Sequence, residues 1–239
     1  MKNLLQTVIT AAGGMEKWNS LKEVRAHLQV VGAIWEIKGS PEVFKDVYFY
    51  ADIHNQIAGF ENFPQEGQYT TFEPNLITIR ESSGEIIDKS VNPRESFNGY
   101  AWDTKWNLLQ LLYFSNYAFW TYLTLPFNFT LPGYEAEEIA SYNDGSEILR
   151  RLKVTTPDVI AAHNKVMIFY FGQNGLLKRI DYEPDIIGSI PSTQIVSDYT
   201  EFNGIMSPTK RRIYMRNDDL TYNSEPVLVA VDVKSINFK

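Results

Sequence analysis

The segment Trp106–Tyr134, WNLLQLLYFSNYAFWTYLTLPFNFTLPGY, has no charged residue and holds ten of the chain's 14 Phe, 14 Tyr and 5 Trp residues. Its length would suit a transmembrane helix of ~20 residues. Polar side chains interrupt the apolar run, however, and Pro126 would end a helix. These polar residues are Asn107, Gln110, Ser115, Asn116, Thr121 and Thr124. The sequence therefore predicts an aromatic-rich helix buried inside a domain, and no membrane span.

The chain on both sides of this segment has the pattern of β-strands. Alternate residues are apolar in Val24–Val30 and again in Val227–Val233, which is typical of half-buried strands. Further segments rich in β-branched and aromatic residues are Val43–Ile53, Gln68–Phe72, Leu76–Arg80, Ala136–Tyr142, Ile148–Val154, Lys165–Phe171, Leu176–Tyr182, Gln194–Phe202 and Ile205–Met215.

Turn signals separate the strands of the C-terminal half. Asp144-Gly145, Asn174-Gly175 and Asn203-Gly204 suit the positive φ angles of tight hairpin turns. Strands joined by hairpins are antiparallel, and this half has no room for the crossover helices that parallel strands need. Residues 134–239 are therefore predicted to form an antiparallel meander.

These elements combine into one predicted architecture. We expect residues 1–239 to form a single domain of the mainly β class with helices (α+β). Its core would be a curved antiparallel half-barrel wrapped around the aromatic-rich helical segment. Leu4, Leu5, Val8, Ile9 and Ala12 have helical spacing and predict a short N-terminal helix. Curled sheets with an internal helix commonly leave a ligand cavity.

Composition excludes several classes of function. The net charge of −7 argues against a nucleic-acid partner, because such binding needs a basic surface. The 239 residues include no cysteine, which excludes a disulfide framework, a thiolate nucleophile and cysteine-bound metal clusters. Gln6, Thr7 and Thr10 interrupt the N-terminal apolar run, so we expect no signal peptide and a cytoplasmic location.

Few residues form a pattern that indicates catalysis or metal binding. Asp52 and His54 would share a strand face and could bind a metal, or they could cap the end of a strand. His163 precedes a strand, where it could act as a general base or make a turn hydrogen bond. We predict no catalytic residue, no metal and no cofactor.

Basic residues on predicted strands form a less ordinary pattern. By alternation, Arg150 and Arg211 would each point to the same side as their apolar neighbours, and a buried arginine requires a partner. Two interpretations stay open: internal ion pairs, or contact between one inward arginine and the anionic head group of an apolar ligand. The candidate carboxylates for internal pairs are Asp181, Asp198, Glu201 and Asp232.

Four motifs resemble those of a group of uncharacterised bacterial proteins. They are Ala12–Lys22 (AGGMEKWNSLK), Trp120–Phe127 (WTYLTLPF), Phe169–Tyr182 (FYFGQNGLLKRIDY) and Gly204–Arg212 (GIMSPTKRR), and the resemblance runs over nearly the whole chain. It implies a fold like that of the bacterial lipoprotein-localisation carriers (LolA/LppX-like). In those carriers a curved half-barrel closed by helices holds acyl chains in an apolar cavity.

The leading hypothesis is a non-enzymatic binding protein for a small hydrophobic or amphiphilic molecule of the fatty-acid or lipid class. Its predicted cavity residues are Trp106, Leu109, Tyr113, Tyr117, Trp120 and Phe127. The same side chains could instead fill a dry core. Two other functions stay open: an enzyme that acts on an apolar substrate inside the barrel, with His163 or an inward carboxylate as acid or base, and a module that binds a protein partner.

Overall fold

A computed structural model describes residues 3–239, so Met1 and Lys2 lie outside the described residues. The α-helices are α1 (Leu4–Ala11), α2 (Met15–Asn19), α3 (Ala33–Ile37) and α4 (Leu108–Thr124). The strands are β1 (Glu23–Val31), β2 (Val47–Asp52), β3 (Ala58–Glu61), β4 (Gln68–Glu73), β5 (Leu76–Glu81), β6 (Ile86–Val91), β7 (Glu135–Asn143), β8 (Ile148–Thr155), β9 (Val166–Phe171), β10 (Leu177–Tyr182), β11 (Ser192–Phe202), β12 (Ile205–Met215) and β13 (Val229–Phe238). Short 3₁₀ helices occur at Pro93–Phe97, Phe127–Thr130 and Asp185–Ile187.

All the strands belong to one open antiparallel sheet. Its order is β6-β5-β4-β3-β2-β1-β13-β12-β11-β10-β9-β8-β7, so two sequential meanders meet where β1 pairs with β13. The predicted α+β half-barrel and the predicted meander over residues 134–239 are confirmed. The predicted strand face Val227–Val233 is partly wrong, because β13 begins only at Val229.

Local turn chemistry explains the hairpins of the C-terminal meander. Asn203 and Gly204 both have positive φ, 50° and 82°, between β11 and β12, as a tight hairpin requires. Gly145 and Gly175 also have positive φ, 91° and 77°. At each of these positions a residue that tolerates the left-handed region reverses the chain.

Helix α4 is the predicted aromatic helix. Asn107 and Gln110 form a capping box at its start: each side chain accepts a hydrogen bond from the other residue's backbone N–H, at 3.0 and 2.9 Å. All residues from Gln110 to Thr124 are buried. Thr121 and Thr124 lose little by burial, because each hydroxyl donates to a carbonyl of the preceding helical turn. Asn116 Nδ2 donates to the Leu112 carbonyl in the same way, but Asn116 Oδ1 has no partner within residues 3–239.

The path of the chain explains why α4 lies inside the sheet. Strands β6 and β7 are the two edges of the sheet, yet they are consecutive in sequence. The segment between them, residues 92–134, must therefore cross the open side of the curve, and α4 does so. Among the described residues, 3–239, no helix combines the length and the hydropathy needed to cross a bilayer.

Candidate functional site in the interior of the half-barrel

A narrow void, here called the slit, lies between α4 and the inner face of the C-terminal strands. Its volume is about 30 Å³. Its walls include Phe114, Ser115 and Ala118 of α4, Tyr182 of β10 and Ile213 of β12. The walls are mainly apolar, with single polar groups set among them, as in many ligand pockets.

A second void, here called the Arg211 cavity, lies at the end of the half-barrel that α1 covers. It measures about 20 Å³. Val8 of α1, Leu125 after α4, Phe171 and Tyr199 line it together with Arg211. Tyr122 lies next to both the slit and Arg211. The ring of Tyr122 lines the slit, and the Arg211 guanidinium carbon lies 4.7 Å from the centroid of the same ring.

Arg211 is a buried cation held by neutral groups. Its side chain points inward from β12, and the residue is 2% exposed. Nη1 donates to Gln194 Oε1 at 2.8 Å, and Nη2 donates to the Tyr122 carbonyl at 2.6 Å. Burial lowers the pKa of Arg211 from its usual range. Arginine nevertheless stays protonated in proteins, so a full charge lies inside the half-barrel.

The carboxylates that the sequence indicated as possible partners of Arg211 do not pair with it. Asp181 pairs with Arg179 at 2.6 Å, Asp198 with Lys210 at 2.6 Å and Asp232 with Arg212 at 2.7 Å. Glu201 is exposed. Internal ion pairing is therefore wrong for Arg211, although it is correct for Arg179, whose pair with Asp181 is buried. The pairs of Lys210 and Arg212 are exposed or partly exposed.

The inward prediction for Arg150 is also wrong. Its side chain is 40% exposed and pairs with Glu138 of β7, with 2.8 Å between Nη2 and Oε1. The reason lies in the alternation along the strand: Leu149 and Leu152 are three residues apart and both buried, so the inward face of β8 changes between them, and Arg150 lies on the outer side beside Leu149. Arg150 is thus part of a surface ion pair.

His163 lies in a cluster of buried tyrosines beside the slit. The residue is 4% exposed, and its ring stacks on Tyr182 with 4.6 Å between centroids. Nδ1 lies 3.3 Å from the Tyr117 hydroxyl, and Nε2 lies 3.2 Å from the Tyr122 hydroxyl. A neutral imidazole satisfies both contacts with one donor and one acceptor nitrogen.

Burial sets the protonation state of this cluster. Loss of solvent lowers the pKa of His163 to about 3, and the nearby Arg94 guanidinium acts in the same direction. Loss of solvent also raises the pKa of Tyr117 and of Tyr182 well above the usual value. All three rings are therefore neutral at pH 7. A general base works best with a pKa near the working pH, so His163 is poorly suited to that role.

Some polar atoms around the two voids have no partner within residues 3–239. Ser115 Oγ and Gln194 Nε2 are examples, in residues that are 1% and 0% exposed, and Trp35 Nε1 at the slit is a third. Most buried polar atoms in proteins have a hydrogen-bond partner. The interior therefore presents free donors and acceptors at the places where it is not filled.

An open cleft lies outside the loop that carries His163. It measures about 550 Å³, and Tyr113, Ala162 and Asn164 are part of its lining. Arg94 holds the loop in place, because it donates to the Ala162 carbonyl at 3.0 Å and pairs with Asp185 at 2.8 Å. One loop thus separates this polar cleft from the slit.

The six predicted cavity residues lie on the other side of α4. Neither the slit nor the Arg211 cavity includes any of Trp106, Leu109, Tyr113, Tyr117, Trp120 and Phe127 in its lining. Trp120 Nε1 donates to the Asp52 carbonyl at 2.9 Å, and Phe127 stacks on Trp18 at 4.2 Å. Tyr113 lines the open cleft. That these six residues bind a ligand stays a prediction.

Sequence reasoning missed the helix face that lines the slit. Ser115 and Ala118 are three residues apart and are small side chains in a segment of bulky ones. This spacing puts them on one face of a helix, opposite to Tyr113 and Tyr117. Small residues in a bulky helix were the signal that could have indicated the slit.

The possible metal pair Asp52 and His54 forms a turn instead. Asp52 Oδ1 accepts from the backbone N–H groups of His54 and Asn55, both at 2.8 Å. His54 Nε2 lies 2.8 Å from the Leu21 carbonyl. This is the strand-capping arrangement. In the described part of the chain, no three His, Cys, Asp or Glu residues are grouped as a metal site would require.

The architecture is that of the LolA-like half-barrels. A LolA superfamily protein from Nitrosomonas europaea matches with a TM-score of 0.54 at 9% identity, over 98% of this chain and 93% of that one. A DUF1329 family protein from Desulfovibrio piger matches with a TM-score of 0.55 at 8% identity, over 99% and 92%. A domain from Vibrio parahaemolyticus, assigned as an outer membrane lipoprotein-sorting protein, gives 0.55 at 8% identity, over 99% and 91%.

The likeness confirms the fold that the sequence motifs implied. No family model and no curated protein matches the sequence. Identities of 8–9% show the shared fold alone, because one fold can carry many functions. The function has to be argued from the side chains of this chain.

Proposed function

We propose that the protein binds a small hydrophobic or amphiphilic molecule of the fatty-acid or lipid class inside the half-barrel, and that it catalyses no reaction. The observation that carries the proposal is the slit. Its apolar walls also hold Ser115 Oγ and Trp35 Nε1, which have no partner within residues 3–239. A core packed only for stability would pair or exclude such groups. The solved structure of similar fold that is assigned as a lipoprotein-sorting domain supports the same class of ligand.

The size of the slit sets a condition on binding. Ligand pockets usually measure about 300–1,000 Å³, whereas the slit measures about 30 Å³. A ligand must therefore move part of the wall. The loop that carries His163 is the nearest movable wall, because it alone separates the slit from the open cleft. We expect entry on that side.

The protonation states favour binding over catalysis. An enzyme in this interior would need a group that can gain or lose a proton near neutral pH. Burial lowers the pKa of His163 to about 3 and raises the pKa values of Tyr117 and Tyr182. None of these groups therefore gains or loses a proton near neutral pH. The acid–base alternative built on His163 therefore has little support.

The first experiment detects the ligand directly. Native mass spectrometry on gently purified protein, followed by solvent extraction, is expected to show a stoichiometric lipid-sized mass. A protein that carries no such mass and also fails to bind a fluorescent fatty acid would overturn the proposal. The alternative of a protein-partner module would then be the next to test.

A pair of variants tests the place of binding. Ala118→Leu fills the slit, and we expect it to weaken binding of the fluorescent fatty acid at least tenfold. Ala26→Leu is the control, because Ala26 is also buried but lies on the inner face of β1, away from the slit. Equal affinities for the two variants would place the ligand outside the slit.

Two further expectations belong to the proposal. The cytoplasmic location is a prediction from the sequence, and cell fractionation with an antibody tests it. The single domain over residues 1–239 is also a prediction. The pairing of β1 with β13 supports it, since the two meanders share one sheet.

A further inference from the structure

We propose that Arg211 and Gln194 form a head-group site for a carboxylate, so that the ligand is an acyl chain with a free acid end. This inference rests on the proposed function and deepens it. It names the charge of the ligand and the end of the half-barrel at which that charge binds.

The charge of Arg211 is the first argument. A buried ion is costly unless an opposite charge compensates for it. Within residues 3–239 the guanidinium has two hydrogen-bond acceptors, Gln194 Oε1 and the Tyr122 carbonyl, and both are neutral. Its charged neighbours along the sheet pair with other partners. The positive charge of Arg211 is therefore not compensated by a negative charge within residues 3–239.

The free donors give the second argument. A guanidinium has five N–H donors, and the two hydrogen bonds of Arg211 leave three. Gln194 accepts from Arg211 with Oε1, so its Nε2, which has no partner in the described part of the chain, lies on the same amide group. A carboxylate can accept from Arg211 and from Gln194 Nε2 together. Such charge-assisted hydrogen bonds are among the strong ones.

The walls of the Arg211 cavity give the third argument. Apart from Arg211, they include Val8, Leu125, Phe171 and Leu177, which suit a methylene chain. Tyr122 connects this cavity with the slit: its ring lines the slit and lies 4.7 Å from the guanidinium carbon of Arg211, which lines the cavity. We expect a movement of this ring to open a path from the slit to Arg211. A chain in the slit then reaches Arg211 with its acid end.

The single cation favours a carboxylate over a phosphate monoester. A phosphate monoester carries about −1.5 to −2 charges at pH 7. Arg211 compensates one charge, and the nearest groups around it are the tyrosines Tyr122, Tyr182 and Tyr199. A monoester would leave negative charge uncompensated in a buried place, whereas a carboxylate would not.

The test compares two ligands with the same chain. Palmitate and its methyl ester are titrated against the wild-type protein in competition with a fluorescent fatty acid. We expect palmitate to bind at least tenfold more tightly than the ester. Equal affinities would overturn the head-group site while leaving the proposed function in place. If neither ligand bound, the proposed function itself would fail.

Two variants complete the test. Arg211→Met keeps an unbranched apolar stem and removes the guanidinium charge, so palmitate should fall to the affinity of the ester. Arg212→Met is the control, because Arg212 points to the other face and pairs with Asp232. A preference for palmitate that survives Arg211→Met would overturn the inference. If that variant does not fold, Gln194→Leu replaces it, and it should reduce the preference at least threefold.

Hexadecyl phosphate distinguishes the anion. We expect it to bind less tightly than palmitate in the wild-type protein. Tighter binding of the phosphate would assign the site to another anionic head group and would overturn the choice of a carboxylate.

Discussion

The two halves of the inner sheet surface differ in what they present to α4. The N-terminal half presents Phe49, Phe60 and Phe72, each at most 1% exposed. Its buried polar groups are paired: Thr70 Oγ1, for example, accepts from the Phe60 N–H at 2.9 Å. The C-terminal half presents Arg211 and Gln194, and between it and α4 lies the slit.

This difference shows that one helix can have a structural face and a functional face. α4 is anchored on the side where rings interlock, as between Phe72 and Tyr113, whose centroids are 5.8 Å apart. On the other side it meets voids and unpaired polar atoms. Interlocked aromatic packing resists change, so any movement that admits a ligand belongs to the C-terminal side.

The largest expected effect comes from removing a ring on the anchored side. Phe60→Ala should lower the free energy of unfolding by about 3–5 kcal/mol, because it leaves a cavity in a filled core. Ile213→Ala, at the slit, should lower it by about 2–3 kcal/mol and also increase uptake of a fluorescent fatty acid. Urea unfolding and ligand titration measure both. If Phe60→Ala changed ligand uptake more than Ile213→Ala did, the division into two faces would be wrong.

The next effect depends on pH and comes from His163. Its pKa of about 3 in the folded protein is below the usual histidine pKa of 6.5, so the unfolded chain binds a proton first as the pH falls. The stability due to neutral His163 is therefore complete above pH 6.5 and is lost as the pH falls from there toward 3. Between pH 7.5 and 5.5 we expect a loss of about 1 kcal/mol from this residue.

The variant His163→Gln isolates this contribution. Urea unfolding at pH 7.5 and pH 5.5 should show a smaller loss of stability for the variant than for the wild type, by about 1 kcal/mol. Identical losses would mean that His163 is not held neutral in the folded state.

A smaller effect is expected at the start of α4. Asn107→Ala removes the capping hydrogen bond that Asn107 Oδ1 accepts from the Gln110 N–H, and it should lower the free energy of unfolding by about 1 kcal/mol. Because α4 packs on both halves, the two halves should lose stability together. Amide hydrogen exchange measures the stability of the N-terminal and C-terminal halves separately. Increased exchange in only one half would contradict the single-domain prediction.

The smallest effect is expected at Arg150. Arg150→Ala breaks an exposed ion pair with Glu138, and such pairs contribute about 0.2–1 kcal/mol. The difference from the wild type should disappear in 1 M salt, since screening then acts within about 3 Å. A salt-independent loss above 1 kcal/mol would show that Arg150 has the buried role that the structure gives to Arg211.

Local signals explain which parts of the fold could be predicted. The Asn-Gly and Asp-Gly hairpins of the C-terminal meander depend on backbone angles that few residues tolerate, so the sequence indicates them directly. Strand β3 was missed because it has only four residues and contains Gly59. A Cβ at Gly59 would lie 2.0 Å from the Thr70 carbonyl oxygen. The need for glycine at position 59 thus follows from the position of β4 beside β3, and the local sequence does not indicate it.

The site was harder to predict than the fold, for two reasons. α4 is buried on all sides. Its apolar pattern therefore does not indicate which helix face lines the site, the face of Tyr113 or the face of Ala118. The partner of an inward arginine depends on strand register. Alternation alone gave Arg150 and Arg211 the same environment, although the inward face of β8 changes between Leu149 and Leu152, whereas β12 alternates regularly from Arg211 to Tyr214.

The pairing of β1 with β13 has a consequence for synthesis of the chain on the ribosome. Residues 23–31 emerge early, but their second neighbour is residues 229–238. Until those are made, β1 presents an unpaired row of N–H and C=O groups, and such an edge invites pairing with other chains. We therefore expect the nascent chain to need protection of this edge, for example by a chaperone, until residues 229–238 have been made.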